Sequence, residues 1–213
     1  MSELRYSVSI SLDGFVAGPD QGPDHPLGAG GERLHHWMRE LALWRAQAGL
    51  DGGQTNASTA VLEGEDRNIG AIIMGRHMFG GTGPWGVPPW NGWWGDNPPF
   101  HMPVFVLTHY PRPPLELDGG TTFTFVEGGI RRALDLARHA AEGADVALSG
   151  GGTTATQYLG AGLVDQMQLH LVPTLLGGGV RLFDDPRLSE LDLETTAVIE
   201  APGVIHLTYR TLS

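Results

Sequence analysis

Residues 144–165 read ADVALSGGGTTATQYLGAGLVD, and the fold turns on the three glycines near the centre. Asp145 to Leu148 is a short β-like run, Thr153 to Ala161 has helical spacing, and Ser149-Gly150-Gly151-Gly152-Thr153-Thr154 joins them. The first turn of a helix carries unpaired N–H groups and a partial positive charge, so an anion can settle there. Glycine lets a phosphate reach the backbone, and Thr153 and Thr154 add hydroxyl donors. The same residues would serve as a plain strand-to-helix turn, and the run by itself favours that plainer use. Gly150, Gly152 and Ala155 satisfy G-x-G-x-x-A. The next strand, Leu169-His170-Leu171-Val172, nevertheless ends without the acid that holds a ribose hydroxyl.

Outward from the glycines, the chain alternates strands and helices. Leu4 to Leu12 alternates apolar and polar residues and closes at Asp13-Gly14, a strand and its turn. Residues 18–31 are rich in glycine and proline and form a loop. Leu34, Trp37, Met38, Leu41, Trp44 and Ala48 fall on one helical face, predicting a helix from Glu32 to Ala48. A weaker helix is expected between Thr55 and Asn68. Ala71-Ile72-Ile73-Met74, Pro103 to Leu107, Thr122 to Val126 and Gln168 to Leu176 read as strands. Ile130, Ala133, Leu134, Ala137 and Ala141 form the buried stripe of a helix. Thr196 to Thr211 reads as a hairpin turning at Pro202-Gly203. This order predicts one α/β domain over residues 1–213, with a mostly parallel sheet covered on both faces and an antiparallel edge.

Two further strand ends carry polar groups. Arg76 follows Met74-Gly75 directly, and Thr108, His109 and Arg112 follow Leu107. Ligands of open α/β sheets sit at the carboxyl ends of strands, so three polar ends could converge on one anion. Arg grips a phosphate through two parallel hydrogen bonds. Each residue alone reads more simply as a solvated arginine or a turn threonine; their conjunction points to a ligand.

The bulk composition agrees. Formal net charge is −11, and all 13 cations are Arg. That excludes a basic nucleic-acid surface while leaving room for a small anion. The absence of Cys excludes disulfides, thiolate zinc sites and cysteine nucleophiles. The N-terminus carries Glu3 and alternates, so no signal peptide is expected. No window approaches the ~18 apolar residues of a membrane span, and the expected location is the cytoplasm. None of the nine histidines sits in a metal-ligand pattern. His170, inside an apolar strand, reads as a satisfied core histidine, and no metal is expected.

SISLDGFVAGPDQ, GAIIMGRHMFG, PPFHMPVFVLTHYPR, TTFTFVEGGIRRALDLA, the glycine run and LGAGLVDQMQLHLVPTLLGGGVRLF follow one another along nearly the whole chain. This ordered set resembles the dihydrofolate-reductase-like superfamily, in the branch of the C-terminal reductase domain of the riboflavin-pathway deaminase–reductase. The resemblance implies a mixed, mostly parallel sheet of about eight strands with flanking helices and an antiparallel C-terminal hairpin. It also implies NADPH across the strand ends and a homodimer. Gly151, Gly152, Thr153 and Thr154 would hold the pyrophosphate, and Gly75, Arg76 and His77 would line the cofactor. Thr108, His109 and Arg112 would face the adenosine and its 2′-phosphate. Phe15, Val16 and Ala17 would form a loop beside the nicotinamide. The pterin-binding carboxylate of dihydrofolate reductases has no counterpart in DHPLGAGGERLHHWMRE.

The implied activity is hydride transfer from NADPH to a small, flat nitrogen heterocycle of pterin or pyrimidine type. Asp13 is the candidate to bind substrate or deliver a proton, against its plainer use as an Asp-Gly turn. The segment PWGVPPWNGWWGDNPPFHMP is expected to be an aromatic lid over a flat ligand, against a satellite core or a dimer contact. The alternatives are a catalytically silent binding protein of the same fold and a reductase using a flavin-type cofactor.

Overall fold

The computed structural model describes residues 2–22, 24–81 and 83–212; Pro23, within the Gly/Pro-rich loop, lies outside them. In chain order the strands are β1 (Leu4–Ser11), β2 (Phe15–Ala17), β3 (Ile69–Gly75), β4 (Pro103–Leu107), β5 (Leu115–Glu116) and β6 (Thr122–Val126). They continue with β7 (Asp145–Ser149), β8 (Gln166–Val172), β9 (Val180–Arg181), β10 (Asp192–Ala201) and β11 (Val204–Leu212). The helices are α1 (His36–Arg39), α2 (Ala42–Gln47), α3 (Ala57–Glu65), α4 (Arg76–Gly80), α5 (Gly129–Ala140) and α6 (Gly152–Gly160).

The main sheet runs β10-β11-β8-β1-β7-β3-β4-β6-β5, and β2 pairs with β9 in a two-stranded ribbon. The pairings from β8 through β1, β7, β3 and β4 to β6 are all parallel, and the C-terminal hairpin is antiparallel. The expected architecture is therefore present. The strand beyond the expected eight or so is the two-residue β5, antiparallel to β6, so both edges carry antiparallel company.

Helices α5 and α6 cover one face through Ala133, Leu134, Ala137, Ala155, Tyr158 and Leu159, packed on Tyr6, Ile73 and Phe105. Tyr158 ties the two helices together, its hydroxyl donating to the Ile130 carbonyl at 2.8 Å. The opposite face holds two separate cores. Phe79, Val104, Val106, Phe123 and Phe125 form one, and Leu34, Trp37, Leu41, Val172 and Val204 the other.

Central strand β1 departs from the usual rule. Strands buried on both faces read as continuous apolar runs, yet Ser9 and Ser11 are buried opposite Leu4, Tyr6 and Ile10. The alternation thus marks two kinds of interior, one apolar and one polar.

The expected helix from Glu32 to Ala48 is broken. A 3-10 turn at Gly31–His35 runs into α1, Leu41 is extended (φ −78°, ψ 138°), and α2 follows. The Ala42 N–H donates to Gln54 O at 2.9 Å, and the Gln54 N–H to Glu40 O at 2.8 Å. This bridge pulls Leu41 out of the helix while its side chain stays buried. Among the described residues no helix is long and apolar enough to cross a membrane.

Candidate functional site

The glycine run ends β7 and starts α6. Gly151 is the N-cap in extended conformation, and no side chain caps the helix. The two glycines that follow Gly150 differ in kind. A Cβ on Gly152 would stand 2.8 Å from Arg181 O and 2.9 Å from Val180 Cγ1, so Gly152 lets α6 pack against β9. A Cβ on Gly151 would meet nothing within 4 Å. Gly152 serves packing; Gly151 leaves open space before a helix N-terminus. Gly75 also serves packing, its Cβ position lying 2.3 Å from Thr154 Oγ1.

A cavity of about 590 Å³ opens where these elements meet. Gly75, Arg76, His77, Thr108, His109, Thr153 and Thr154 all line it, so the three separated strand ends do converge. Its ionisable lining is Arg76, His77, His109 and Tyr110, with no Asp or Glu among the lining residues. In a chain of 24 acids and 13 arginines, this concavity keeps carboxylates out of its lining and has the donor chemistry an anion needs. The rest of the lining includes Leu107, Val126 and Ile130, with Gln157 one turn along α6. Sequence reasoning missed these. The available signal was Gly128-Gly129, a second glycine pair between a strand and a helix, which also lines the cavity.

The remaining expected residues, Gly151 and Gly152 included, are not among the cavity's lining residues. Val16 Cγ2 is 3.5 Å from the Cβ position of Gly152, and Ala17 pairs with Val180. Phe15, Val16 and Ala17 form buried strand β2 rather than a loop. Arg112 follows β4 as expected but is not among the cavity's lining residues. Its Nη1 donates to the Trp90 carbonyl at 2.8 Å and its Nη2 to Asn91 Oδ1 at 3.1 Å.

Asp13 is a brace. Its carboxylate accepts from Ser11 Oγ at 2.6 Å, from the Gly177 N–H at 2.7 Å and from the Leu176 N–H at 3.1 Å. The Ser11 hydroxyl, followed by the backbone donors, holds its pKa down to about 2. A carboxyl in that state carries no proton at neutral pH, so the expected proton delivery does not fit this geometry.

The tryptophan-rich segment is also corrected. Trp90 and Trp93 donate through Nε1 to the carbonyls of Phe79 and Met78 at 2.8 and 2.9 Å, satisfying the end of α4. Trp94 stacks on Phe123 at 5.9 Å, and Trp85 meets Phe79 edge-on at 5.8 Å. None of the four indoles lines the cavity at the strand ends. The segment is a satellite core instead of a lid.

A second cavity, of about 470 Å³, lies on the polar side of β1. Ser7, Gln166, Gln168 and Glu65 line it together with Ile72, Phe100 and Met102. Ser149 lines it too, and its register partner Met74 immediately precedes Gly75 of the first cavity. Among the described residues no three of His, Asp and Glu are grouped to hold a metal ion.

Residues 3–207 match the family model of the RibD C-terminal domain. Among solved structures, the fold is similar to a putative riboflavin biosynthesis protein from Shewanella sp. PV-4 (TM-score 0.64, 20% identity, 99% of each chain). It is also similar to Acinetobacter baumannii RibD (TM-score 0.59, 19% identity), where it covers all of this chain and 59% of that one. A third similar structure is the Enterococcus faecalis dihydrofolate reductase complexed with NADP(H) (TM-score 0.54, 12% identity, 99% of this chain and 97% of that one). At these identities the structures speak for the fold alone, and no curated protein matches the chain. With the family's model spanning almost every element from β1 into β11, the chain belongs to the RibD C-terminal domain family.

Proposed function

We propose that the protein is an NADPH-dependent reductase acting on a small, flat nitrogen heterocycle. The observation that carries the reading is the acid-free cavity assembled from the ends of β3 and β4 and the start of α6. The residues fit the cofactor's anionic groups. Gly151 leaves space for a phosphate at the α6 N-terminus, Thr153 and Thr154 add donors, and Arg76 supplies charge. Leu107, Val126 and Ile130 offer an apolar wall for a base. NADPH, when bound, supplies the hydride. The similar dihydrofolate reductase, complexed with NADP(H), supports the same assignment.

The second cavity is the proposed substrate side. Gln166 and Gln168 each present an amide donor and acceptor, matching the edge of a lactam-containing ring, while Phe100 and Met102 suit its face. Asp13, held ionised as a brace, is left out of proton delivery, and water is the proposed source. The homodimer belongs to the same proposal. Edge strand β10 is exposed along most of its length and is open to pairing.

Titration of the protein with NADPH, followed by cofactor fluorescence, tests the first half of the reading. A saturable change in the micromolar range is expected, and its absence would remove the cofactor assignment. The rival reading is a binder of the same fold without turnover. Tight NADPH binding with no oxidation across pterins and pyrimidines would establish that rival.

A further inference from the structure

Ser7 ends a buried chain of polar side chains at the wall of the second cavity. Its Oγ lies 2.9 Å from His170 Nε2, and His170 Nδ1 hydrogen-bonds His206 Nδ1. His206 Nε2 in turn hydrogen-bonds Ser58 Oγ on α3. His170, His206 and Ser58 are buried, while Ser7 is half-buried and lines the cavity. The register partner of Ser7 on β8 is Gln168, one of the two amides proposed for the edge of the ring. Glu65 lines the same wall. Its Oε1 is 3.0 Å from His170 Nε2, yet is buried without a hydrogen bond.

These contacts fix where the protons can sit. Burial, with the neighbouring His170, holds the His206 pKa down to about 4, so at neutral pH that ring keeps a single N–H and can accept at the other nitrogen. When His170 carries protons on both nitrogens, its Nδ1–H donates to His206 and its Nε2–H faces Ser7 Oγ and the Glu65 carboxylate. The Ser7 hydroxyl, accepting from Nε2, is then free to turn its own proton into the cavity. The titratable groups facing His170 are His206 on β11, Glu65 on α3 and His35 in the turn before α1. Tying α3 to the sheet needs only Ser58, His206 and His170. Nothing in that task calls for a hydroxyl at the cavity wall.

We propose that Ser7 is the proton-donating catalytic residue of the reduction, and that His170, with Glu65 beside it, is the positioning residue that resupplies the proton. The proposal rests on the reductase reading above, in which this cavity takes the ring. Reduction of a ring C=N bond forms a C–H bond with the hydride that the cofactor supplies and an N–H bond with a proton. As the C=N π bond breaks, its electron pair takes the proton of Ser7 Oγ, and Ser7 Oγ takes the proton of His170 Nε2. His170 is left neutral and Ser7 is unchanged. Water entering after product release returns a proton to Nε2 through the same hydroxyl, so the water named above as the source reaches the ring through two side chains.

The experiment follows NADPH oxidation with 7,8-dihydropterin and 2-pyrimidinone as probes, for the wild type, Ser7→Ala, Ser7→Thr and Glu65→Gln, with a thermal melt of each. Nitrogen-15 NMR of the histidine rings, in the protein without cofactor, gives the protonation midpoint of His170 Nε2. Ser7→Ala is expected to lose about a hundredfold in kcat with KM unchanged, and Ser7→Thr to recover most of it. Glu65→Gln is expected to lower the His170 midpoint by about one pH unit and to move the alkaline fall of kcat down with it. An unchanged kcat in Ser7→Ala overturns the proposal and leaves the reductase reading standing. So does a His170 midpoint that Glu65→Gln does not move, or an alkaline fall that stays in place when the midpoint moves. A wild type that reduces neither probe overturns the reading and the proposal with it. If Ser7→Ala does not fold, Glu65→Gln decides: a kcat limb that follows the His170 midpoint supports the role, and one that does not overturns it.

Discussion

His170 and His206 face each other Nδ1 to Nδ1 at 2.7 Å beneath the Trp37 ring. Two such nitrogens can share one proton, one donating and the other accepting, so the pair is a defined tautomer lock. Ser58 Oγ stands 2.8 Å from His206 Nε2, and Glu65 Oε1 stands 3.0 Å from His170 Nε2. The polar side of β1 therefore continues into a buried network linking β8, β11 and α3. His170 is a core histidine with partners at both ring nitrogens.

This network makes stability acid-sensitive. Burial, with the neighbouring His170, pushes the His206 pKa from 6.5 down to about 4. Burial and Arg39 push His35 down to about 4 as well. Unfolded, each imidazole binds a proton near pH 6.5; folded, each resists until about pH 4. The unfolded state thus binds more protons in that window, so stability is full above it and falls as pH drops through it. Melting temperatures from pH 7.5 to 4.5 should decline, and His206→Gln should decline less steeply over the same range. A parallel decline would remove His206 from the effect.

Gly151 and Gly152 should separate binding from packing. Gly152→Ala drives a Cβ to 2.8 Å from Arg181 O and should destabilise the fold by about 1–3 kcal/mol. Gly151→Ala meets open space and should leave the melt within about 0.5 kcal/mol of wild type while weakening NADPH roughly tenfold. Paired melts and titrations of the two variants check this; unchanged NADPH affinity in Gly151→Ala would place the diphosphate elsewhere.

Arg76→Ala should weaken NADPH by about tenfold or more, in line with a lost charged hydrogen bond, and NADH much less. Arg112→Ala should act in the same direction. It should also loosen the tryptophan-rich segment, since Arg112 holds the Trp90 carbonyl and Asn91. Nucleotide titrations alongside intrinsic tryptophan emission distinguish the two effects.

Asp13→Asn replaces an acceptor that serves two backbone N–H groups with an amide that can turn a donor toward them. Amide hydrogen exchange at Leu176 and Gly177 should accelerate, while neutral-pH hydride transfer should keep its pH profile. An altered profile between pH 6 and 8 would restore Asp13 to proton handling. Because its carboxyl titrates near pH 2, its own contribution to stability persists to about pH 4 and is lost only below that. Between pH 6.5 and 4 the contribution that changes is therefore that of His206 and His35 and not that of Asp13.

Much of the architecture was legible locally. Strands such as β3, β4 and β7 are short apolar runs ended by glycine or polar residues, and α5 shows its buried stripe at helical spacing. The glycine run was readable as a strand-to-helix turn. The open space at Gly151 was not, because Gly151 and Gly152 look alike in sequence and differ only in what Val180 and Arg181 do beside them. The helix from Glu32 to Ala48 failed for a similar reason: the periodicity reported correctly that Leu34, Trp37 and Leu41 are buried, but nothing local announces the bridge to Gln54. The four indoles of residues 84–94 could serve a ligand or a core equally well, and only the exposed carbonyls of α4 decided for the core.

Periodicity, glycine placement and charge balance are properties of neighbours along the chain, and they were enough for the order of the longer strands and of α5 and α6, the α/β class and the three polar strand ends. Sheet order, the acid-free cavity, the polar interior beside β1 and the contact of Ser7 with His170 arise between segments tens of residues apart. Those depend on which surfaces are removed from water together, a through-space condition that only the folded chain satisfies.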